Sequence, residues 1–285
     1  MPVRADAPGF TQAVTQTVTP RWALAYAASL GFPAPACLDD AAPGGLAIPG
    51  PFCVCLEWAL VGGDERAARL GLTAAERRRN VHVSQDSVFH RPVRPGMAVT
   101  TTSRIAHARQ TSAGAFLLTR LDSRDAATGA LLVTSWSGAV LRGVAFDGEV
   151  DAAMPSEAPA EPQPLAPGGE REVIATARGL PHVYSECARI WNPIHTERAV
   201  ALAAGLPDIV LHGTITWALA GQAILRARAG GDVTRLRRLS ARFRAPVIPG
   251  DSFTLHHAAA AEGVRFTALA KGGAVALASG LAVLG

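Results

Sequence analysis

Residues 184–213 read YSECARIWNPIHTERAVALAAGLPDIVLHG. Asn192-Pro193 interrupts regular structure, because the residue before a proline is pushed out of helical geometry. His195 follows at once. Thr196 is a good N-cap for a helix running from Glu197 through Ala204. A histidine beside a helix start feels the positive helix end, which favours the neutral ring. A neutral imidazole is the form a general base needs near pH 7. His212-Gly213 then opens a second helix, 215–229, and a glycine there offers a bare backbone N–H to an oxygen bearing negative charge. One stretch thus supplies a candidate base and a candidate oxyanion donor.

Outward from this stretch, the C-terminal part continues with Gly230-Gly231, which stops the long helix. Strand patterns follow over 236–243, 252–261, 265–271 and 274–284. The N-terminal part has the same rhythm. Residues 22–30 (WALAYAASL) carry apolar residues at helical spacing, and strand patterns follow over 81–89, 97–106, 115–122 and 131–141. Between two strands of each part lies a similar segment: RPVRPG at 91–96 and RAPVIPG at 244–250. We read this as an internal repeat of one α+β unit, a long helix wrapped by an antiparallel sheet. Residues 151–169 (DAAMPSEAPAEPQPLAPGG) lack hydrophobic periodicity and form a Pro/Ala-rich connector. The expected domains are 1–150 and 170–285, joined by the linker 151–169.

Bulk properties narrow the function classes. The chain has 285 residues, about half of them apolar, enough for a sizeable core. Its net charge is +4, and Lys271 is the only lysine. The arginines at 77–79 and 235–244 come without a zinc-finger, RRM or KH signature, so nucleic acid is not an expected partner. A mild positive field does suit an anionic, nucleotide-bearing ligand. The four cysteines form no C-x-x-C pair, and His256-His257 has no third ligand at a useful spacing, so no metal is expected. No signal-peptide core and no run of eighteen apolar residues occurs, so no membrane partner and a cytoplasmic location are expected. No Gly-rich phosphate loop of Rossmann or P-loop type is present.

Asn-Pro-Ile-His (192–195), then a helix, then His212-Gly213 resembles the MaoC-like family of (R)-specific enoyl-CoA hydratases and 3-hydroxyacyl-thioester dehydratases. The family signature runs Tyr, two residues, Leu, Ser/Thr, Gly, Asp, any residue, Asn, Pro, Ile/Leu, His, and Tyr184 to His195 fits its spacing. The segment 244–251 resembles the family's strand-joining Pro-Gly-Asp element, and the first half resembles the N-terminal domain of its two-hotdog members. The resemblance implies an α+β double hotdog, with the acyl pocket in the N-terminal half, lined by 23–30 and 48–58. It implies that His195 is the catalytic histidine, that Asn192 orients the site, and that the Gly213 N–H holds the thioester oxygen. The ligand implied is an acyl-CoA or acyl-carrier-protein thioester, with CoA a part of the substrate and no separate cofactor. A double hotdog can stay a monomer or pair again as a homodimer.

One position departs from the signature. Where the family has a catalytic aspartate, this chain has Ile190, and the preceding glycine is Arg189. Isoleucine can neither activate water nor carry a proton. Three accounts stay open. Another acid substitutes, with Glu186, Glu197, Asp86 and Glu57 as candidates. His195 acts alone on a different thioester, with Arg189 binding a substrate carboxylate in the bidentate manner that suits a guanidinium. Or the chain binds thioesters without reacting them. A hotdog thioesterase is a further alternative, but no carboxylate stands out for it. Trp191, Ile190, His212 and Glu57 are expected to contact substrate; for Glu57, in CLEWAL, the competing reading is an exposed helix residue. The other tryptophans and histidines are read as packing or surface groups.

Overall fold

The computed structural model describes residues 2–4, 6–33, 35–148, 153–166 and 168–285. The boundary at residue 150 and the linker positions Asp151, Ala152 and Pro167 lie outside the described residues. The first half runs β1 (Val3–Arg4), β2 (Thr11–Thr17), α1 (Pro20–Ser29), α2 (Cys53–Val61), α3 (Asp64–Arg69), α4 (Ala74–Arg77), β3 (Asn80–Phe89), β4 (Ala98–Thr111), β5 (Gly114–Asp125), β6 (Leu131–Arg142) and β7 (Phe146–Asp147). The second half runs β8 (Glu170–Ala175), α5 (Leu180–Ala188), α6 (Arg198–Ala203), α7 (Gly213–Ala229), β9 (Leu236–Phe243), β10 (Ser252–Ala260), β11 (Gly263–Ala270) and β12 (Val275–Leu284).

Ten strands form one antiparallel sheet in the order β2-β4-β5-β6-β3-β9-β12-β11-β10-β8, while β1 pairs with β7 apart from it. From either outer edge inward, each half contributes its first, third, fourth, fifth and second strand. The repeat read from the two Pro-Gly segments is therefore a repeat of topology: each segment joins the second and third strand of its half. The halves meet at β3 and β9, which pair antiparallel from Ser84↔Arg242 to Val88↔Arg238. This is the α+β double hotdog expected from the sequence.

Each sheet half curls around one helix. Every residue from Thr214 to Leu225 of α7 is buried, which is why its sequence (TITWALAGQAIL) lacks a polar face. Burial of Ile215, Leu219, Ile224 and Leu225 stabilises the packing by roughly 1.5–3 kcal/mol each. Gly230, at φ 60, ends the helix in the left-handed conformation that glycine adopts without strain. In the first half the corresponding helix is α2, lying on β2, β4 and β5. It has nine residues against seventeen in α7. The helix read at 22–30 is real, as α1, with Thr19 Oγ1 accepting from the Trp22 N–H. It packs against α5 and does not occupy the sheet's concave face. The expected acyl-pocket lining at 23–30 is thereby corrected. Tyr26 is buried among Phe32, Phe52 and Tyr184, because this apolar face is spent on joining the two halves.

Candidate active site

His195 is placed by the backbone break anticipated at Asn192-Pro193. Asn192 takes the extended conformation (φ −136, ψ 116) that a following proline demands. Its Oδ1 accepts from the Ile194 N–H at 3.4 Å, and its carbonyl accepts from the His195 N–H at 3.0 Å. Residues Pro193–His195 form a single 3-10 turn. The imidazole Nδ1 lies 2.8 Å from the Val210 carbonyl oxygen. A carbonyl can only accept, so Nδ1 carries the proton and Nε2 keeps its lone pair. Burial lowers the His195 pKa to about 4, against a smaller opposing effect of the Val210 bond. The ring is neutral near pH 7, with desolvation the largest cause. Thr196 does not cap a helix: α6 begins at Arg198, with Glu197 at the cap position and no side-chain cap bond.

His212 stacks on His195, ring centroids 3.7 Å apart and planes 25° from parallel. It is buried, with Nε2 3.3 Å from Ser185 Oγ and 3.4 Å from the Ile190 carbonyl oxygen. Burial first, and the neighbouring His195 second, push its pKa well below the ordinary value. His212 is the N-cap of α7, so Gly213 and Thr214 head the helix, where amides precede the first intrahelical bonds. Tyr184 donates to Thr214 Oγ1 at 3.0 Å and fixes that first turn. Gly213 is small for a packing reason as well: a Cβ there would lie 3.1 Å from the Phe243 ring. The Phe243 ring in turn meets His82 edge-on at 4.7 Å.

These groups open on a cavity of about 1500 Å³ shared by both halves. Ile190, Trp191, Asn192, His195, His212 and Gly213 line it from the second half, and Val54, Glu57 and Trp58 from the first. Glu57 is not the exposed helix residue that was its competing reading. It is 3 % exposed, with Oε2 accepting from Gln85 Nε2 at 3.0 Å. Burial raises its pKa, opposed by hydrogen bonds from Ser135 and Gln85. The other candidate acids lie outside the cavity lining. Glu186 accepts from Trp191 Nε1 at the surface, and Glu197 is exposed. Asp86 is held by both Arg238 Nε and Nη2, at 2.8 and 2.6 Å. Arg189 is turned away too. It sits in the left-handed region (φ 58), with its guanidinium 4.0 Å above the Trp22 ring. The backbone turn that ends α5 aims this side chain out of the cavity.

Sequence reasoning missed the polar residues of the first-half sheet. Gln85 lies within hydrogen-bonding reach of Glu57, Ser87 and His82, and His82 Nε2 lies 3.1 Å from Ser137 Oγ. Strand β3 (NVHVSQDSVF) has valines on its outer face, Val81 being 40 % exposed, and Gln85 and Ser87 on its inner face. Strict alternation groups Gln85 and Ser87 with Val81, Val83 and Phe89, and the register shift between His82 and Ser84 is what parts them. The available signal was that both sets of β3 contain polar residues.

Comparison with known proteins agrees with this architecture. A MaoC-like domain model matches residues 188–272, and a FAS1-like dehydratase region model matches residues 7–133. The chain is 27% identical over 178 residues to the 3-hydroxyacyl-thioester dehydratase Y of Mycobacterium tuberculosis, covering 61% of this chain and 60% of that one. It is 38% identical over 73 residues to the fatty acid synthase subunit beta of Aspergillus oryzae, covering 26% of this chain and 4% of that one. The matches thus span less than two thirds of either relative's length. The crystal structure of a MaoC-like dehydratase from Phytophthora capsici superposes with a TM-score of 0.80 at 21% identity, over 99% of this chain and 97% of that one. By fold the chain is a double hotdog protein. By sequence it resembles MaoC-like domains over residues 188–272 and FAS1-like dehydratase regions over residues 7–133, and its fold resembles that of MaoC-like dehydratases.

Proposed function

We propose that the protein adds water to, or removes it from, the α,β bond of an acyl thioester carried on CoA or acyl carrier protein. The observation that carries this reading is His195. Its Nδ1 is committed to the Val210 carbonyl, its ring is neutral, and it shares a cavity with the first amides of α7. In the hydration direction Nε2 takes a proton from water while the water oxygen bonds to Cβ. The electron pair of the double bond moves towards the thioester oxygen. That developing charge is held by the Gly213 N–H at the positive end of α7. The imidazolium, acidic because of its surroundings, returns the proton to Cα. One imidazole on one face of the substrate thus balances the reaction without the family's aspartate. Ile190 supplies apolar wall, and the buried Glu57 is a hydrogen-bonding group in the acyl region.

Ile190 also favours a second reading, a protein that binds acyl thioesters without reacting them. A panel of enoyl-CoA thioesters, short, long and carboxylated, separates the two. Hydration is followed as loss of the conjugated-thioester absorbance. We expect turnover of at least one substrate and a loss of about a hundredfold or more in kcat/KM for His195→Ala, the scale of a general-base contribution. Binding of several thioesters with turnover of none would replace the hydratase reading by the binding one.

A further inference from the structure

The shortness of α2 leaves room in the first half. Helix α7 is eight residues longer than α2 (17 against 9), which at 1.5 Å per residue is ~12 Å of helix. The cavity extends into this region, where Leu117, Thr119 and Ala139 of the sheet face it and α3 closes over it. Arg66 of α3 lines that end of the cavity. It is 6 % exposed. Its Nη2 donates to Thr119 Oγ1 at 2.8 Å, and its Nη1 is buried without a hydrogen-bond partner. Among the described residues no carboxylate pairs with it. Burial alone lowers its pKa, to about 10, so it stays charged at neutral pH.

A buried cation without an anion is costly, since desolvation is uncompensated. Its neighbours also suit a polar ligand. Thr119 pairs with Ser137, and Ser137 with Gln85, so three polar residues stand side by side on β5, β6 and β3. The row spans two interstrand spacings, ~10 Å. It leads from the Glu57–Gln85 contact to Arg66; its members are hydrogen-bonded to Glu57, His82 or Arg66, which leaves Arg66 Nη1 as the open donor at its end. Arginine offers a planar pair of N–H donors matched to a carboxylate, and here one donor is held ready by Thr119 while the other is free.

We propose that Arg66 is a specificity residue that binds a carboxylate at the far end of the acyl group, so that the preferred substrates are thioesters of dicarboxylic acids. This deepens the hydratase reading and rests on it only for the reaction, not for the binding. Arg66 and Thr119 receive the carboxylate, and the Ser137–Gln85 row accompanies the chain from the reacting carbons.

The test pairs substrates and variants. Carboxylate-ended enoyl-CoAs of increasing length are compared with their methyl esters, using wild type, Arg66→Met and Arg66→Lys. We expect wild type to prefer the carboxylate at least tenfold in kcat/KM at one length. Arg66→Met should lose that preference through KM, Arg66→Lys should keep part of it, and turnover of the esters should change less than threefold. Equal loss on acids and esters would overturn the inference, since an arginine serving the CoA phosphates or the fold would act on both. A wild-type preference for the ester would overturn it as well. Calorimetric titration with saturated, unreactive acyl-CoAs of both kinds gives a readout free of chemistry. Tighter binding of the carboxylated one, lost in Arg66→Met, would uphold the inference even if no thioester were hydrated; equal binding of both would refute it.

Discussion

His195 is fixed in tautomer by the Val210 carbonyl and in charge by burial, and both have measurable consequences. In the proposed reaction the base is the neutral ring, so activity that depends on it falls only as pH drops towards about 4. We expect the acidic limb of kcat/KM for a non-titrating neutral substrate to lie well below the 6.5 of an exposed histidine. A limb at 6.5 would show a solvated imidazole and exclude the desolvated base. Stability follows the same groups. His195 and His82 have folded pKa values of about 4, and burial holds His212 well below its ordinary value. Between pH 4 and 6.5 the unfolded chain binds more protons at these sites than the folded one, so stability rises with pH in that window. No penalty exists above 6.5; it accumulates as pH falls to 4, up to roughly 3 kcal/mol for a histidine displaced by about two and a half units. Urea midpoints at pH 7.5 and 4.5 should differ, and His82→Asn should narrow the gap. Equal midpoints would mean that these rings are protonated in the fold.

At the scale of the element, what could be read in advance depended on whether an element keeps one apolar and one polar side. Strand β9 was read with its observed bounds, and α7 to within two residues at its start, because Gly230-Gly231 marks the stop. The edge strands β2 (TQAVTQT) and β8 (EREVIA) escaped, since a sheet edge exposes most of its residues and needs little apolar sequence. Helix α2 (CVCLEWALV) was read only as a competing possibility at Glu57, and as exposed, for the opposite reason: buried nearly all round, it has no periodicity to detect. The turn carrying His195 was legible because Asn192-Pro193 acts through local sterics, whereas the destinations of Arg189 and Asp86 depend on partners remote in the chain, Trp22 and Arg238. Strand β12 shows how local a constraint can be. Its pairing is irregular between Ala278 and Leu281, and a Cβ on Gly280 would stand 2.5 Å from the buried Phe266 ring. Gly280→Ala should therefore cost about 1–3 kcal/mol by overpacking, read from chemical denaturation. Because Gly280 does not line the cavity, kcat/KM should be unchanged.

For the whole molecule the question is how two repeats behave as one body. One hydrophobic cluster runs from Val18 and Trp22 through α2 and α7 to Ala282, crossing between the halves. Gln222 of α7 donates to the Gly31 carbonyl at 2.6 Å, a further tie across them. The connector is pinned to both: Glu157 pairs with Arg104 of β4, and Glu161 with Arg242 of β9. At the β3–β9 seam Asp86 is opposite Ser240 and Arg238 is opposite Val88, so the Asp86–Arg238 pair is a diagonal, two-pronged contact on one face. Both side chains are mostly buried, 14 % and 23 % exposed, so this pair is screened less than a surface one. Removing Asp86 leaves a guanidinium partly desolvated beside Val88. We expect Asp86→Ala to destabilise by about 1–3 kcal/mol, less than for a fully enclosed pair. Adding Arg238→Met should recover part of that loss, since the stranded charge goes with it. Because core and sheet are continuous across the seam, wild type and both variants should unfold in one cooperative step seen alike by fluorescence and by circular dichroism. Two separated transitions in Asp86→Ala would show instead that each half folds on its own and that the seam only docks them. In that case the cavity, which draws His195 from one half and Glu57 and Arg66 from the other, would be lost before either half melted.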